Sequence, residues 1–302
     1  MTADNFADRL LAAIEGKQSH VVVGLDPDFA LLPSEIRDAH PRAQYAGDDE
    51  MHEACYREFL TALLDALTGE AMAVKPQIAY FEALGSRGYA LYEDVVTMAK
   101  DMGYLVIGDV KRGDIGSTAE AYARAHLDVA GADAVTVNPY FGADGLEPFL
   151  RRTRESGKGV FVLVKTSNAG SADIQDLELS SGETVYRRVA GLVEYWGRES
   201  EGSRGYRSVG AVIGATYPAQ GAELRARMAG VPFLVPGYGA QGAKATELSG
   251  LFDEDGTGTV VNSARAILYA YRKRPGIHWL DAARLEAQEM RSALWRAAGR
   301  GR

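Results

Sequence analysis

Apolar residues along the chain follow two alternating rhythms. Short, dense runs rich in Val, Ile and Leu recur at 21–25, 72–75, 105–109, 134–137, 160–165, 209–213, 232–235 and 259–261. Runs of this length and composition predict buried strands. Between them, apolar residues return every three or four positions over 53–67, 84–102, 118–130, 145–155, 184–198, 218–228, 243–251 and 264–274. That spacing predicts helices with one buried face. Regular alternation of strand and helix calls for a parallel sheet with helical crossovers. Eight such units in about 250 residues fit a closed barrel. The expected fold class is therefore α/β, a (β/α)8 TIM barrel in a single domain over 1–302. A doubly wound open sheet is the alternative. It needs fewer strands and a glycine-rich loop after the first, where this chain has Asp26-Pro27-Asp28.

Two stretches depart from a compact repeat. One covers 28–49 after strand 1, with Pro33, Pro41 and several charges. The other follows strand 5, over 168–182 and again over 197–207, where Gly197 to Gly205 reads as a solvated loop. Loops this long carry function or move. Helical patterns also flank the barrel, at 1–17 and at 279–298, the latter expected to close it.

Composition narrows the function. Hydrophobic residues make up 46% and charged residues 25%, an ordinary globular balance. No apolar run approaches a membrane span, so no membrane role is expected. Residues 1–17 lack the basic and apolar regions of a secretory signal. Cys55 is the only cysteine, which leaves no internal disulfide and fits a reducing, cytoplasmic setting. It reads as a small hydrophobe on a helix face. The net charge of −8 argues against a nucleic-acid partner, which needs clustered Lys and Arg. A locally positive site for a small anion stays open. The five histidines show no ligand spacing, so no metal is expected.

Barrels carry their chemistry at the C-terminal ends of strands. Here those ends hold Asp26, Lys75, Asp109 with Lys111, Asn138, Lys165 to Asn168, Thr216, the run from Pro236 to Gly242, and Asn262 to Arg265. The run from Gly108 to Thr118 says most. Strand alternation places Asp109 and Lys111 on one face. Gly113 then frees the chain to turn before Asp114. Two carboxylates and an ammonium at one strand end are costly unless chemistry uses them. A structural ion-pair network is the plainer reading of that cluster. Asp26 alone reads equally as a turn cap, and Lys75 as a surface lysine. Gly237 and Gly239 offer backbone N–H groups, and Arg265 opens the helix after strand 8. Together they read as a phosphate site.

Asp109-x-Lys111-x-x-Asp114-Ile115-x-x-Thr118 resembles the signature of the orotidine 5′-phosphate decarboxylase family. Lys75 completes that family's Lys/Asp/Lys/Asp tetrad. The likeness runs from Asp26 to Ile267, and the long loops look like the longer bacterial type. Two positions depart from the shorter type: Gln241 is flanked by glycine, and Ala264 replaces the glycine before the phosphate arginine. The resemblance implies orotidine 5′-monophosphate as substrate, uridine 5′-monophosphate and CO2 as products, and no cofactor. It implies that Lys111 stabilises a C6 carbanion and protonates it, with Asp109 beside the departing carboxylate. Asp26 and Lys75 would contact the ribose, Lys75 also ordering Asp109. Ser167 would read the pyrimidine edge. Gln241 and Arg265 would clamp the phosphate, with Gly237 and Gly239. Asp114 and Thr118 would reach into a neighbouring subunit's site, with Ile115 among the substrate contacts, so a homodimer with shared sites is implied.

Two other readings compete. A Mg²⁺-dependent sugar-phosphate decarboxylase or hexulose-phosphate synthase of the same superfamily shares the Asp-x-Lys-x-x-Asp strand but has an acid in place of Lys75. A non-catalytic nucleotide-phosphate-binding barrel would keep Arg265 and Gln241 but has no use for paired acids beside Lys111.

Overall fold

The computed structural model describes residues 5–239 and 244–300. Eight parallel strands form a closed barrel in chain order: β1 (Val21–Leu25), β2 (Ala73–Pro76), β3 (Leu105–Arg112), β4 (Ala134–Val137), β5 (Gly159–Lys165), β6 (Val209–Ile213), β7 (Phe233–Pro236) and β8 (Thr259–Ser263). β8 closes on β1 through Val261 opposite Val21. The helices are α1 (Phe6–Lys17), α2 (Ser34–Ala39), α3 (Asp48–Leu67), α4 (Ile78–Glu82), α5 (Gly85–Asp101), α6 (Gly116–Ala123), α7 (Gly142–Glu155), α8 (Val185–Gly197), α9 (Pro218–Arg227), α10 (Arg265–Leu268) and α11 (Trp279–Ala297). All eight expected strands are present, and the expected (β/α)8 fold is the observed one.

Strand alternation splits the core in two. Val22, Ile107, Phe161, Val212, Leu234 and Val260 fill the barrel interior. Their sequence neighbours, such as Val21, Val23, Val106, Val160 and Val261, pack outward against the helices. Both faces of each strand are thus apolar, as a parallel barrel requires. The interior core continues into Phe6, Leu10, Leu11 and Ile14 of α1, which plugs the end where the strands begin. Asn5 caps α1 by accepting from the Ala7 amide at 2.8 Å, and Arg9 pairs with Asp133 at 2.6 Å. α11 closes the outer layer, with Trp279 stacked on Phe59 of α3. With one end plugged, the C-terminal ends of the strands form the working mouth.

Several local expectations change. The 28–49 stretch is not irregular: it holds a 3₁₀ turn at Phe29–Leu31, helix α2 and a second 3₁₀ turn at Arg42–Gln44. The 197–207 stretch is docked rather than freely solvated. Ser200 is buried, Asp8 accepts from the Ser203 and Arg204 amides, and Arg204 pairs with Glu15 at 2.6 Å. The fixed charges of α1 hold it down. The expected 118–130 helix becomes α6 followed by a π-helical turn, Arg124–Val129, whose wider winding buries both His126 and Leu127. The expected 264–274 helix breaks at Tyr269, whose φ of −118° and ψ of 28° leave the helical region. Its hydroxyl accepts from the Asp28 amide at 2.8 Å, and tertiary bonding outweighs helix continuation. No helix among the described residues is long and apolar enough to cross a membrane.

Candidate active site

β2 and β3 bring Lys75 and Asp109 side by side, with Lys75 Nζ 2.6 Å from Asp109 Oδ2. Lys111 Nζ lies 2.6 Å from Asp109 Oδ1. The meeting of Asp109 and Lys111 is as expected, but simple alternation does not produce it. The β3–β4 register shifts between Gly108 and Arg112, and Lys111 itself has a φ of 45°. A non-glycine residue in this left-handed region is strained, and such strain clusters at functional sites. The Lys111 amide is held by Thr136 Oγ1 at 3.0 Å, and that hydroxyl donates on to Asp109 Oδ1 at 2.9 Å. Gln77 Nε2 donates to Asp109 Oδ2 at 3.0 Å. Asp109 therefore accepts from two cations, one hydroxyl and one amide.

Charge states follow from this packing. Burial alone would raise the Asp109 pKa, but Lys75 and Lys111 outweigh it and hold the carboxyl far below its usual range. Burial works against the charge of Lys75, yet Asp109 and then Asp26 more than compensate, and its pKa is raised. Asp26 is raised by burial, with Lys75 opposing. A depressed acid between two lysines, next to a raised acid, is the kind of environment catalytic sites build.

Two cavities of about 340 and 350 Å³ meet over this cluster. The first is lined by Lys111, Thr136, Thr166, Ser167 and Asn168 over a floor of Leu163, Val212 and Leu234. The second holds Asp26, Gly237, Tyr238, Asn262 and Arg265. Both are bordered by Lys75, Asp109 and Pro236. Asp26 Oδ1 and Asn262 Oδ1 are buried without a hydrogen-bond partner. Buried oxygens left open in this way are acceptors placed for a ligand's hydroxyl groups. Gly237 and Gly239 have φ of 105° and 73°, which aim their backbone as a side-chain-bearing residue would not. The Tyr80 hydroxyl on α4 acts most strongly on Arg265, and with Asp26 and Asp28 raises its pKa further. Because α10 is only four residues long, the helix dipole adds little, and the guanidinium carries the anion site.

Asp26, Lys75, Asp109, Lys111, Ser167, Gly237 and Arg265 thus come together around the joined cavities. Gln241 lies outside the described residues. Asp114, Ile115 and Thr118 do not join the cluster within this chain. The Asp114 carboxylate accepts from the Ile115 amide at 2.8 Å, while Ile115 and Thr118 are exposed on the rim.

Five participants have no motif in the sequence that announces their role. Gln77 and Thr136 carry no motif and matter only through the barrel register, and Asn262 is legible only as a strand end. Tyr80 lies on α4, a short helix that falls between the expected elements. Lys165, too, is legible only as a strand end. It is fully buried, with Nζ 2.9 Å from both Asp176 oxygens and 4.4 Å from the centre of the Tyr217 ring. This ion pair pins the segment after β5. Gln175, beside Asp176, accepts from the Thr166 amide at 2.9 Å, and so fixes the stretch that lines the first cavity. A lysine followed by an acid eleven residues later gave no such signal.

Residues 19–275 match the family described as orotidine 5′-phosphate decarboxylase / HUMPS. The chain is 42% identical over 302 residues to the orotidine 5′-phosphate decarboxylase of Rhodopirellula baltica, covering 96% of this chain and 98% of that protein. It is 38% identical over 290 residues to the same-named protein of Clostridium perfringens, covering 95% and 97%. The solved Leishmania donovani OMP decarboxylase superposes with a TM-score of 0.74 at 32% identity, over 97% of this chain and 99% of that one. The Leishmania donovani UMP synthase superposes with a TM-score of 0.77 at 32% identity, and this chain spans 57% of its length. Sequence and fold agree over nearly the whole chain, and it belongs to the orotidine 5′-phosphate decarboxylase / HUMPS family.

Proposed function

We propose that this protein converts orotidine 5′-monophosphate to uridine 5′-monophosphate and CO2. The observation that carries the proposal is the Lys75–Asp109–Lys111 array set between two joined cavities. The first cavity, apolar below and polar at Thr166 to Asn168, suits a flat pyrimidine, with Ser167 at its edge. The second suits the ribose and its phosphate, with Asp26 and Asn262 open to hydroxyl groups and Arg265 to the anion.

Loss of CO2 leaves an electron pair at C6 that the pyrimidine cannot delocalise well. Fixed charge takes over that task. Lys111 lies where it offsets the developing anion and then gives C6 its proton. Asp109 stays ionised, so it repels the substrate carboxylate. Two like charges about 4 Å apart repel by roughly 4 kcal/mol at an effective dielectric near 20. Relief of that repulsion as CO2 departs is worth about three powers of ten in rate. The larger share comes from phosphate and ribose contacts realised in the transition state. Lys75, Gln77 and Thr136 hold Asp109 against the strain of facing a like charge.

The Mg²⁺-dependent reading fits less well. All four contacts on Asp109 are donors, two of them cationic, which opposes a divalent ion there. The test is loss of ultraviolet absorbance as purified protein consumes orotidine 5′-monophosphate in EDTA. Turnover unaffected by EDTA is expected. Activity that a chelator abolishes and Mg²⁺ restores would replace this reading with the metal-dependent one.

The reading extends to a homodimer of the longer bacterial type, acting in the cytoplasm. Asp114 and Thr118 would then face the partner's Lys111. Their position outside their own chain's cluster supports this.

A further inference from the structure

Three cavities are linked in sequence by the residues that line them. The first holds Lys111 and Ser167, and the second is joined to it through Lys75, Asp109 and Pro236. The third, of about 530 Å³, shares Arg265 with the second and is lined by Leu31, Ala266, Tyr269, Arg272 and Lys273. A nucleoside monophosphate uses only the first two. The third has three cations and no acid in its lining, in a chain of net charge −8.

The cations are presented on an anchored turn. Arg272 and Lys273 end the 3₁₀ segment Ala270–Lys273. Tyr269 on one side is tied to Asp28, and Tyr271 donates to the Leu31 carbonyl at 3.0 Å. The next residue, Arg274, turns to Glu286 and Glu289, whereas no ion pair among the described residues involves Arg272 or Lys273. Positive charge concentrated in a concave site attracts anions well beyond what the net charge suggests.

Resting on the function proposed above, we propose that the third cavity receives the additional phosphates of a uridine 5′-di- or triphosphate. The base and ribose would occupy the substrate's place, the first phosphate would meet Arg265, and the outer phosphates would meet Arg272 and Lys273. Such nucleotides inhibit competitively. A fully phosphorylated pyrimidine nucleotide thereby restrains the reaction that supplies its monophosphate.

The test compares inhibition by uridine 5′-mono-, di- and triphosphate, with EDTA present and ionic strength fixed. Direct calorimetric titration of the monophosphate runs alongside. The di- and triphosphate should inhibit competitively, with Ki values about fivefold or more below that of the monophosphate, and salt should weaken them most. Arg272→Ala/Lys273→Ala should raise those two Ki values about fivefold or more. It should leave the monophosphate Ki and kcat/KM for orotidine 5′-monophosphate within about twofold. Arg272→Glu/Lys273→Glu should go further in the same direction. Equal Ki values for all three nucleotides overturn the proposal, as does an equal effect of the variants on all three. Inorganic tripolyphosphate inhibiting as well as the uridine triphosphate overturns it too, since attraction would then owe nothing to the base. A protein that turns over no substrate and binds no monophosphate overturns the parent function, and the inference with it.

Discussion

At the scale of single residues, Lys111 combines a charge the chemistry needs with a backbone it does not favour. Its left-handed φ of 45° costs a side-chain-bearing residue about 1–2 kcal/mol. Lys111→Ala should lower kcat at least about a thousandfold while the affinity for uridine 5′-monophosphate changes little. Lys111→Gly should be as inactive, yet about 1 kcal/mol more stable than Lys111→Ala in urea unfolding, because glycine tolerates that φ. Equal stability of the two variants would mean that the strain is absent. A Lys111→Ala enzyme within tenfold of normal turnover would remove Lys111 as the acid. Arg265 makes a separate contribution. Arg265→Ala should reduce kcat/KM about a hundredfold or more, since charge-assisted bonds to a dianion are strong. Added guanidinium should restore part of it by filling the vacated volume. Normal kcat/KM in that variant would place the phosphate elsewhere.

At the scale of elements, the segment after β5 is built on an asymmetric ion pair. Lys165 is fully buried, whereas the Asp176 side chain keeps 33% of its exposure. Removing the acid strands a buried cation, while removing the lysine leaves an acid that water can reach. Asp176→Ala should therefore destabilise by about 3–5 kcal/mol, and Lys165→Met by clearly less. Both should raise KM by loosening Thr166 to Asn168. Denaturant unfolding with KM measurement checks the order, and a larger loss in Lys165→Met would contradict it.

The same elements show what the sequence reveals. The strands were legible because a parallel barrel buries both strand faces, which leaves dense apolar runs such as 160–165. The Asp109, Lys111 and Asp114 part of the tetrad was legible because it falls within a few residues at the end of β3. Gln77 and Thr136 were not, because one follows β2, the other sits on β4, and they meet Asp109 only through register. The broken helix at Tyr269 was hidden for the same reason: a bond to Asp28, far away in sequence, decides it.

At the scale of the whole molecule, acid sensitivity should begin above the ordinary carboxylate range. Burial lowers His20 to about 4, and burial with help from Arg112 lowers His126 to about 4, against an ordinary 6.5. Between those values the unfolded chain binds more protons, so stability falls as pH drops through that window. Each histidine contributes up to about 3 kcal/mol of this loss. The depressed pKa of Asp109 acts with the same sign in a lower window: its contribution is lost only as pH falls below the ordinary carboxylate range. Urea midpoints between pH 7 and pH 4.5 check this, and His20→Gln should flatten the slope. A midpoint constant down to pH 4.5 would contradict it. The shared site is tested by mixing inactive Lys111→Ala and Asp114→Ala proteins. Random exchange makes about half the dimers mixed, each with one intact site, so about a quarter of normal activity should return. Subunit exchange without recovered activity would place Asp114 in its own chain's site.

The central claim is that this site breaks the bond between C6 and its carboxylate and replaces CO2 with a proton. Mass spectrometry of the products formed in D2O, with EDTA and carboxyl-labelled orotidine 5′-monophosphate, reads both halves at once. The account predicts one labelled CO2 per turnover and uridine 5′-monophosphate carrying a single deuterium at C6. Substrate returned intact, or label released only when Mg²⁺ is supplied, would contradict it.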